Sequence, residues 1–291
     1  MSKIALGTVQ FGVDYGINSI NGKFSYREVE KILHCARIYN IDMLDTAPAY
    51  GNSEQLLGNF KIQDFEIVTK TRHFECDIIT DQEIRLLVRD INQSLEFLKR
   101  KSVYGVLVHN ADDLLKLGAE KIFNKLQEFK QQGLIGKIGA SIYSINQLQK
   151  IIDNFDIDLV QLPFNILDRR LINNDMFKLL KERNIEVHVR SVFLQGLLLM
   201  AKQDRPKKFS RWDNLWTIWH EWLMDNNITA LEATIRYATR MPEISKVLIG
   251  VDSKKQLQEV MAISSGSFPE FPNELYTNDT DLLNPVNWIK L

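Results

Sequence analysis

Four side chains that can take part in proton transfer occur where short apolar runs of the sequence end. Asp45 and Tyr50 lie in "LDTAPAY", Lys70 ends "EIVTK" and His109 ends "GVLVH". A free tyrosine has a pKa of about 10, so a phenol that donates a proton near neutral pH needs a nearby cation such as Lys70 to lower its pKa. A carboxylate keeps that lysine charged, and an imidazole can orient a carbonyl oxygen beside the phenol. The set predicts protonation of an oxygen that becomes negative as a carbonyl is reduced.

Each of these four residues also has an ordinary structural interpretation. Asp45 can cap a turn, Lys70 can be a solvated strand end, Tyr50 can be a rim aromatic, and His109 can be a neutral histidine bonded to backbone. Adjacent strands lie only about 4.8 Å apart, so side chains from three consecutive strand ends can meet. Their joint position therefore favours one pocket over four unrelated structural roles.

Eight short apolar runs alternate with helical patterns and are typical of strands buried on both faces. Five helix-start signatures, in which Ser or Thr precedes Glu or Gln by three residues, lie between or beside them. The runs are "KIALG", "DMLDT", "EIVTK", "GVLVH", "GKIGA", "LVQLP", "EVHVR" and "KVLIG", and the signatures are Ser25/Glu28, Thr80/Glu83, Ser144/Gln147, Thr229/Glu232 and Ser253/Gln256. Eight such units predict an α/β protein of the (β/α)₈ TIM barrel type. A doubly wound open sheet is the alternative, weakened because no G-x-G-x-x-G turn follows the first run.

The chain is predicted to form a single (β/α)₈ barrel domain over residues 1–291, with residues 265–291 as a C-terminal tail. An extra helix is expected in the loop after the seventh strand, where "SRWDNLWTIWHEWL" places tryptophans at helical spacing. Packing of these indoles on the barrel is favoured over a ligand-binding role. The tail can be a lid over the barrel mouth, a packed segment or a partner-binding segment, and the sequence does not separate these.

Composition narrows the partners. A formal charge of -1 gives no reason to propose nucleic acid or an anionic membrane as a partner, and no apolar run approaches the roughly 20 residues of a membrane span. Cys35 and Cys76 are the only cysteines and no secretory signal pattern opens the chain, so a cytoplasmic location is expected. The five histidines lack metal-ligand spacing, so no metal is expected. The oligomeric state is left open.

Six segments in order resemble the aldo-keto reductase superfamily, over residues 4 to about 260. These are "ALGTVQFG", "LDTAPAYGNSEQLLG", "IVTKT", "VLVHN", "GKIGAS" and "LIGVDSKKQLQE". The resemblance implies a barrel that binds a nicotinamide dinucleotide without a Rossmann motif and transfers hydride directly to a carbonyl. It implies that Tyr50 is the general acid, that Lys70 and Asp45 tune it, and that His109 positions the substrate oxygen.

The resemblance also implies a set of cofactor-binding residues. Ser141 and Gln161 match residues that hold the nicotinamide carboxamide, but Ile142 stands where an asparagine is usual, and Arg190 stands where the family places the aromatic that stacks on the nicotinamide. A guanidinium plane can also stack on a ring. The complete set is Gly7, Thr8, Ser141, Gln161, Arg190, Ser191, Phe193, Gly196, Gly250, Ser253, Lys254, Gln256 and Glu259.

The eighth-strand segment bears on the choice between NADP(H) and NAD(H). Asp252 occupies a position that is often basic in the family, and Val260 replaces a frequent asparagine. An acid would repel a 2′-phosphate unless Lys254 or Lys255 takes over. NADP(H) is the expected cofactor on the pattern of the family, with NAD(H) as the alternative.

The substrate is the least determined feature of the sequence. The substrate pocket is predicted to contain Phe11, Tyr15, Asn110, Phe164, Asn165 and Trp212. The mixture of aromatic and amide side chains suits a polar carbonyl compound, and the sequence resembles bacterial members associated with sugar or polysaccharide metabolism. Two other functions remain open, a non-catalytic nicotinamide-nucleotide-binding regulatory subunit and an aldolase that uses Lys70 as a Schiff-base nucleophile.

Overall fold

A closed barrel of parallel strands forms the centre of the protein, as the alternating pattern predicts. The computed structural model describes residues 2–13 and 25–291. The strands pair in chain order, and the first pairs with the eighth to close the barrel. They are β1 (Ile4–Gly7), β2 (Met43–Asp45), β3 (Glu66–Lys70), β4 (Val103–Val108), β5 (Ile135–Ser141), β6 (Leu159–Pro163), β7 (Glu186–Arg190) and β8 (Lys246–Ile249). The predicted (β/α)₈ barrel is confirmed, and each predicted run overlaps a strand.

Helices connect the strands and cover the outside of the barrel. The α-helices are α1 (Val9–Gly12), α2 (Tyr26–Ile38), α3 (Ser53–Leu57), α4 (Asp81–Phe97), α5 (Glu120–Gln131), α6 (Ile145–Asn154), α7 (Arg170–Asn173), α8 (Met176–Glu182), α9 (Asp213–Asp225), α10 (Ala230–Thr239), α11 (Lys254–Ile263) and α12 (Thr280–Leu283). Short 3₁₀ helices span Ala111–Leu115, Leu194–Leu199, Lys202–Asp204, Lys207–Trp212 and Pro285–Lys290.

All five predicted helix-start signatures lie at helix N-termini. The side chains of Ser25, Ser144 and Ser253 accept hydrogen bonds from the backbone N–H three residues later. Thr80 and Thr229 form complete capping boxes with Glu83 and Glu232. These caps satisfy N–H groups that a helix cannot satisfy internally, so they fix where each helix begins.

The barrel interior is layered, because alternate residues of a strand point to the same side. One layer is apolar and consists of Ala5, Met43, Val68, Leu107, Leu159 and Leu248. Two residues further along the strands, toward their carboxyl ends, come Gly7, Asp45, Lys70, His109, Gln161 and Gly250. Two residues nearer the strand starts come Glu66 and Lys246. The apolar layer therefore separates a polar layer at the barrel mouth from a charged layer at the opposite end.

The tryptophan-rich segment forms the expected extra helix, α9, after β7. Trp216, Trp219 and Trp222 are buried, and the Trp219 indole N–H donates to the Leu198 carbonyl at 3.1 Å. The packing role predicted for these indoles is confirmed.

The C-terminal tail packs against α9 and its neighbours. Phe271 lies edge-on to Trp222 with ring centroids 5.4 Å apart, and the Trp222 indole donates to the Glu270 carbonyl at 2.9 Å. Arg169 donates to the Pro272 carbonyl at 2.8 Å, while Trp288 is buried near the end of the chain. Of the three roles left open for the tail, these contacts favour a packed segment.

Cys35 and Cys76 are both free, and Cys35 is buried. Over the described part of the chain, no helix is long and apolar enough to cross a membrane. No cluster of three or more histidine, cysteine, aspartate or glutamate side chains suited to a metal ion occurs among those same residues.

Candidate active site

Lys70 lies at the centre of the polar layer and is completely buried. Its ammonium Nζ donates to Asp45 Oδ2 at 2.7 Å and to the Thr46 carbonyl at 3.0 Å, with none of the lysine exposed. Burial acts to lower the pKa of Lys70, but the charge of Asp45 and the neighbouring Tyr50 outweigh it, so the pKa of Lys70 is raised overall. Lys70 is therefore a fixed cation rather than a neutral amine.

Tyr50 follows β2 and lies against this cation. The Lys70 ammonium is 4.8 Å from the centroid of the Tyr50 ring. Burial raises the pKa of Tyr50, and the charge of Lys70 offsets only part of that increase while Asp45 adds to it. The expectation that the site lowers this pKa is wrong for the phenol in this environment, because a buried phenolate loses its hydration. Tyr50 accordingly holds its proton at neutral pH.

Two glycines set the backbone position of Tyr50. A Cβ on Gly12 would lie 1.8 Å from the Tyr50 carbonyl oxygen, so only glycine allows the end of α1 to approach this loop. Gly51 has φ +61 and a Cβ there would lie 2.6 Å from the Gly12 carbonyl oxygen. The two segments contact each other directly through backbone atoms at the glycines, and these contacts fix the position of the Tyr50 backbone.

His109 completes the group of four at the mouth. Its ring centroid lies 5.9 Å from that of Tyr50 and 4.5 Å from that of His73, both edge-on. Burial and, secondarily, the charge of Lys70 lower the pKa of His109 to about 2, so the imidazole is neutral. Its Nδ1 is buried and has no hydrogen-bond partner within the described residues.

Further hydrogen bonds hold the group of four residues at the mouth in place. Gln161 Nε2 donates to Asp45 Oδ1 at 2.7 Å, so both oxygens of this carboxylate are bound. Thr8 Oγ1 donates to the Asp45 carbonyl at 2.9 Å. Glu54 is buried and accepts from Thr69, beside Lys70, at 2.6 Å. Sequence reasoning assigned no role to Glu54 and placed Gln161 only on the cofactor, because these contacts join residues far apart in the chain.

A cavity of about 370 Å³ opens beside Asp45 and Tyr50 and runs past the ends of β6 and β7 to β8. Ten of the thirteen predicted cofactor residues line it, namely Gly7, Thr8, Gln161, Arg190, Ser191, Phe193, Gly196, Gly250, Gln256 and Glu259. The sequence did not single out several other lining residues, namely Val9, Gln10, Val192, Gln195, Leu199, Leu231, Leu248, Ile249 and Val251. Most of these additional residues flank the predicted glycines and polar residues. Their position next to strand ends is the sequence signal from which they could have been predicted.

Three predicted cofactor residues do not line this cavity. Ser141 is buried and pairs in register with Gln161 on the neighbouring strand. Ser253 caps α11, and the Lys254 backbone N–H donates to Glu28 at 3.1 Å. The backbone hydrogen bond from Lys254 and, to a smaller extent, its charge lower the pKa of Glu28. The role of Lys254 at a cofactor phosphate stays a prediction.

The loop after β7 has an unusual backbone conformation. The backbone dihedral φ is positive at four of its residues: +60° at Ser191, +48° at Leu194, +52° at Gln195 and +92° at Gly196. Successive N–H groups in such left-handed turns form concavities that bind anions, and strained backbone collects at functional sites. The loop fits a phosphate group in the cavity that it lines.

Arg190 holds a defined orientation at the end of β7. Its guanidinium carbon lies 4.2 Å from the Tyr143 ring centroid, and its Nη2 donates to the Ile142 carbonyl at 3.2 Å. Its charge acts on both Tyr50 and His109. The guanidinium therefore contributes to the catalytic end of the cavity.

Most of the predicted substrate residues do not reach the mouth. Phe164 is fully buried, stacks on Tyr237 and does not line the cavity. Asn165 is buried, and its amide holds loops together by binding the backbone of Leu167 and Ser191. The substrate role of both residues stays a prediction.

Trp212 is also buried, and its indole N–H donates to Asp279 of the tail at 3.0 Å, so its substrate role stays a prediction. Phe11 is buried in the hydrophobic core and does not line the cavity. Asn110 caps a 3₁₀ turn by accepting from the Asp112 N–H at 3.3 Å. Tyr15 lies outside the described residues.

Comparison with known proteins adds independent findings. Residues 3–274 match the model of the aldo/keto reductase family. The chain is 27% identical over 223 residues to an NADH-specific methylglyoxal reductase of Escherichia coli (strain K12), covering 68% of this chain and 65% of that protein. It is 25% identical to an L-galactose dehydrogenase of Arabidopsis thaliana, covering 97% of this chain and 92% of that protein. The solved structure of an aldo-keto reductase from Bacillus halodurans, in its holo form, superposes with a TM-score of 0.71 at 20% identity, covering 92% of this chain and 88% of that one.

Proposed function

The chain belongs to the aldo/keto reductase family of oxidoreductases, and from that premise we propose that it reduces the carbonyl of a small aldehyde or ketone, with Tyr50 as general acid. The observation that carries the proposal is the position of the Tyr50 phenol, between the fixed cation Lys70 and the neutral His109, at the wall of the 370 Å³ cavity. A nicotinamide dinucleotide bound in that cavity would supply the hydride.

The side chains at the mouth divide the remaining work. A carbonyl oxygen that gains negative charge is far more basic than a phenolate, so the protonated Tyr50 can donate to it even though burial raises its pKa. The ammonium of Lys70 then stabilises the resulting phenolate, and Asp45 keeps that ammonium charged and in place. The neutral imidazole of His109 can orient the carbonyl oxygen without adding a second positive charge beside Lys70.

The cavity supports NAD(H) as the preferred cofactor, the alternative that the sequence left open. Its β8 end is lined by Asp252 and Glu259, and neither Lys254 nor Lys255 lines it. Lys255 is largely exposed and lies 3.7 Å from Glu259, while the backbone N–H of Lys254 donates to Glu28. Within the part of the chain that the structure describes, a 2′-phosphate at this end of the cavity would meet two carboxylates and no lysine. The NADH-specific E. coli relative agrees with this preference.

Fluorescence titration with NADH and NADPH tests the cofactor preference. We expect NADH to bind about tenfold more tightly, because one unfavourable charge contact at a partly exposed site is worth roughly 1 kcal/mol. Asp252→Asn should narrow the difference, whereas Lys254→Gln should leave it unchanged. Tighter binding of NADPH by the wild-type protein would contradict the preference.

Oxidation of the reduced cofactor with a panel of aldehydes, methylglyoxal and keto sugars tests the reaction. Tyr50→Phe should lower kcat by about 10²- to 10⁴-fold, the usual contribution of general acid catalysis, while the dissociation constant for NADH changes by less than about threefold. Turnover by Tyr50→Phe at the wild-type rate would rule out the phenol as the acid. Cofactor binding without turnover of any carbonyl would favour the regulatory role instead.

The geometry argues against a Schiff-base aldolase. A lysine nucleophile must be neutral and accessible, but Lys70 is completely buried, paired with Asp45 and has a raised pKa. Absence of a borohydride-trapped adduct at Lys70 with any aldehyde of the panel is the expected result.

A further inference from the structure

An unpaired cation lies at the catalytic end of the cavity. Two arginines that also lie beyond strand ends have carboxylate partners: Arg170 pairs with Asp168 at 2.6 Å, and Arg72 pairs with Asp90 at 2.5 Å. No carboxylate of residues 2–13 or 25–291 comes within the 4.0 Å ion-pair distance of Arg190. Its recorded partners are the Ile142 carbonyl and, at 3.4 Å, the Ser191 hydroxyl.

The guanidinium of Arg190 is nevertheless held firmly. The Tyr143 ring covers one face at 4.2 Å, the Ile142 carbonyl accepts from one edge, and the residue as a whole is only partly exposed. Stacking on an aromatic face restricts the rotation of a guanidinium and lowers the entropy lost when it binds a ligand. Guanidinium donors that these two contacts do not use remain for a ligand in the cavity that Arg190 lines.

We propose that Arg190, backed by Tyr143, binds an anionic group of the substrate, so that the enzyme prefers carbonyl compounds that also carry a carboxylate. This inference rests on the proposed function and extends it to the substrate class. Arginine matches the planar geometry of a carboxylate with two parallel hydrogen bonds, and such charge-assisted bonds are about twice as strong as neutral ones.

Charge balance favours the substrate over the cofactor as the source of this anion. Asp252 and Glu259 make the β8 end of the cavity acidic, and the left-handed loop 191–196 offers backbone N–H groups for phosphate. A bound nicotinamide dinucleotide would add positive charge to the cavity after supplying hydride. A carboxylate on the substrate would compensate Arg190 and that charge, whereas a neutral substrate would compensate neither.

A matched pair of substrates isolates the proposed contact. The aldehydes 4-formylbenzoate and methyl 4-formylbenzoate have similar shapes and differ in charge, so the ratio of their kcat/KM values reports the anion site. We expect the wild-type ratio of acid to ester to be about 10 to 100, the range that one charge-assisted pair confers. Arg190→Gln should bring the ratio to about 1, while Arg190→Lys should retain part of the preference.

The tyrosine gives a second, independent pair of variants. Tyr143→Ala removes the ring that supports the guanidinium and should lower the acid-to-ester ratio severalfold, while Tyr143→Phe keeps the ring and should preserve the ratio. Equal ratios in Tyr143→Ala and the wild type would overturn the supporting role of Tyr143. A wild-type ratio near 1, or a ratio that Arg190→Gln does not change, would overturn the anion site itself.

Two further measurements separate the possible sources of failure. If Arg190→Gln weakens NADH binding and leaves the ratio intact, the guanidinium serves the cofactor phosphates and the inference is wrong. If the wild-type protein reduces neither aldehyde, the proposed function fails for this pair, and calorimetry with benzoate and benzamide, with and without NAD⁺, tests the site without turnover. Tighter binding of benzoate that Arg190→Gln abolishes would support the anion site, and equal binding of the two would contradict it.

Discussion

Both ends of the barrel carry a lysine, a carboxylate, a tyrosine and a histidine in contact. At the mouth, Lys70 pairs with Asp45 and lies against the Tyr50 ring, with His109 beside the phenol. At the opposite end, a second group of the same residue types surrounds Glu186. Its members are Tyr104, Lys137, Glu186 and His188, which we call the lower cluster.

The pattern of hydrogen bonds differs between the two ends of the barrel. In the lower cluster the Tyr104 hydroxyl donates to Glu186 at 2.6 Å, and His188 Nε2 lies 2.7 Å from the other carboxylate oxygen. Burial and this carboxylate raise the pKa of Tyr104 to about 12. Burial acts to raise the pKa of Glu186, but hydrogen bonds from its three partners outweigh it and lower that pKa to about 2. The lower cluster therefore uses its phenol proton internally.

At the mouth, no carboxylate of residues 2–13 or 25–291 accepts a hydrogen bond from the Tyr50 hydroxyl. Both oxygens of Asp45 are bound by Lys70 and Gln161, and the phenol lines the cavity. Glu186 also lines a cavity, of about 330 Å³, but neither Tyr104 nor Lys137 does. The comparison teaches that four suitable residue types do not make a proton donor. The phenol must face a ligand space and its proton must not be taken by a neighbour.

Substitution of the lysine at each end of the barrel should give the largest difference in stability and in turnover between the two ends. Lys70→Met leaves Asp45 buried without its cation and should lower the free energy of unfolding by about 3 to 5 kcal/mol, with turnover reduced at least ~10²-fold. Lys137 is 34% exposed, so Lys137→Met should cost only about 1 kcal/mol and preserve turnover. Urea denaturation and steady-state kinetics measure both. Similar losses of turnover in the two variants would break the distinction.

One glycine at each end of the barrel lies against the backbone of the tyrosine there, and substitution of these two glycines gives a second pair of variants to compare. A Cβ on Gly12 would lie 1.8 Å from the Tyr50 carbonyl oxygen, and one on Gly136 would lie 2.8 Å from the Tyr104 carbonyl oxygen. Overpacking should cost each alanine variant about 1 to 3 kcal/mol of stability. Displacement of Tyr50 should also lower kcat of Gly12→Ala by up to ~10²-fold, whereas Gly136→Ala should keep wild-type kcat. Full activity in folded Gly12→Ala would show that the phenol position tolerates this shift.

The acid dependence of stability should differ between the ends. The folded pKa of His109 is about 2, below its unfolded value of about 6.5, so its contribution is present above pH 6.5 and is lost as pH falls, by up to about 1.4 kcal/mol per pH unit. The folded pKa of Glu186 is also about 2, against about 4.3 unfolded, so its contribution is lost only below about pH 4.3.

Substitutions of His109 and Glu186 distinguish the two pH ranges in which stability is lost. His109→Asn should flatten the fall of the unfolding free energy between pH 6.5 and about 4.5, and Glu186→Gln should flatten it only at lower pH. His220, whose pKa burial also lowers, contributes to the wild-type slope, so the difference between proteins is the quantity to measure. Denaturant titrations across pH 3 to 8 give it. An unchanged slope in His109→Asn would contradict the buried neutral imidazole.

The smallest expected effect belongs to Tyr104. Tyr104→Phe removes one hydrogen bond to Glu186, which keeps its contacts with Lys137 and His188, so we expect a loss of about 1 kcal/mol in stability. Turnover should stay within about twofold of the wild type, in contrast to Tyr50→Phe. A large loss of turnover would mean that the two ends of the barrel are coupled through the apolar layer.

The four residues at the mouth could be predicted because the signals are local. Each of Asp45, Lys70 and His109 ends or directly follows an apolar run, and parallel strands bring such ends to one face of a barrel. The helix caps were predictable for the same reason. The raised pKa of Tyr50 was not, because it depends on how much water the fold removes from the phenol.

The local pattern of the sequence does not fix the direction of side chains at the ends of strands and helices. Phe164 and Asn165 follow β6 and Trp212 precedes α9, positions compatible with either a pocket wall or a packed interior. Contacts with Tyr237 and Asp279, made by distant segments, decided for the interior. Gln161 was predicted as a cofactor residue, but its hydrogen bond to Asp45 was not predicted, because it spans 116 positions of the chain.

The sequence by itself determined the order of strands and helices, the helix starts and the residue types at each strand end, because backbone hydrogen bonding and alternating burial act over short distances along the chain. Only the tertiary structure decided which of the two tyrosines in these groups, Tyr50 or Tyr104, lines the 370 Å³ cavity. Desolvation, charge pairing and the direction of a phenol proton depend on atoms that approach through space. They separate Tyr50, which lines the 370 Å³ cavity, from Tyr104, whose hydroxyl donates to Glu186.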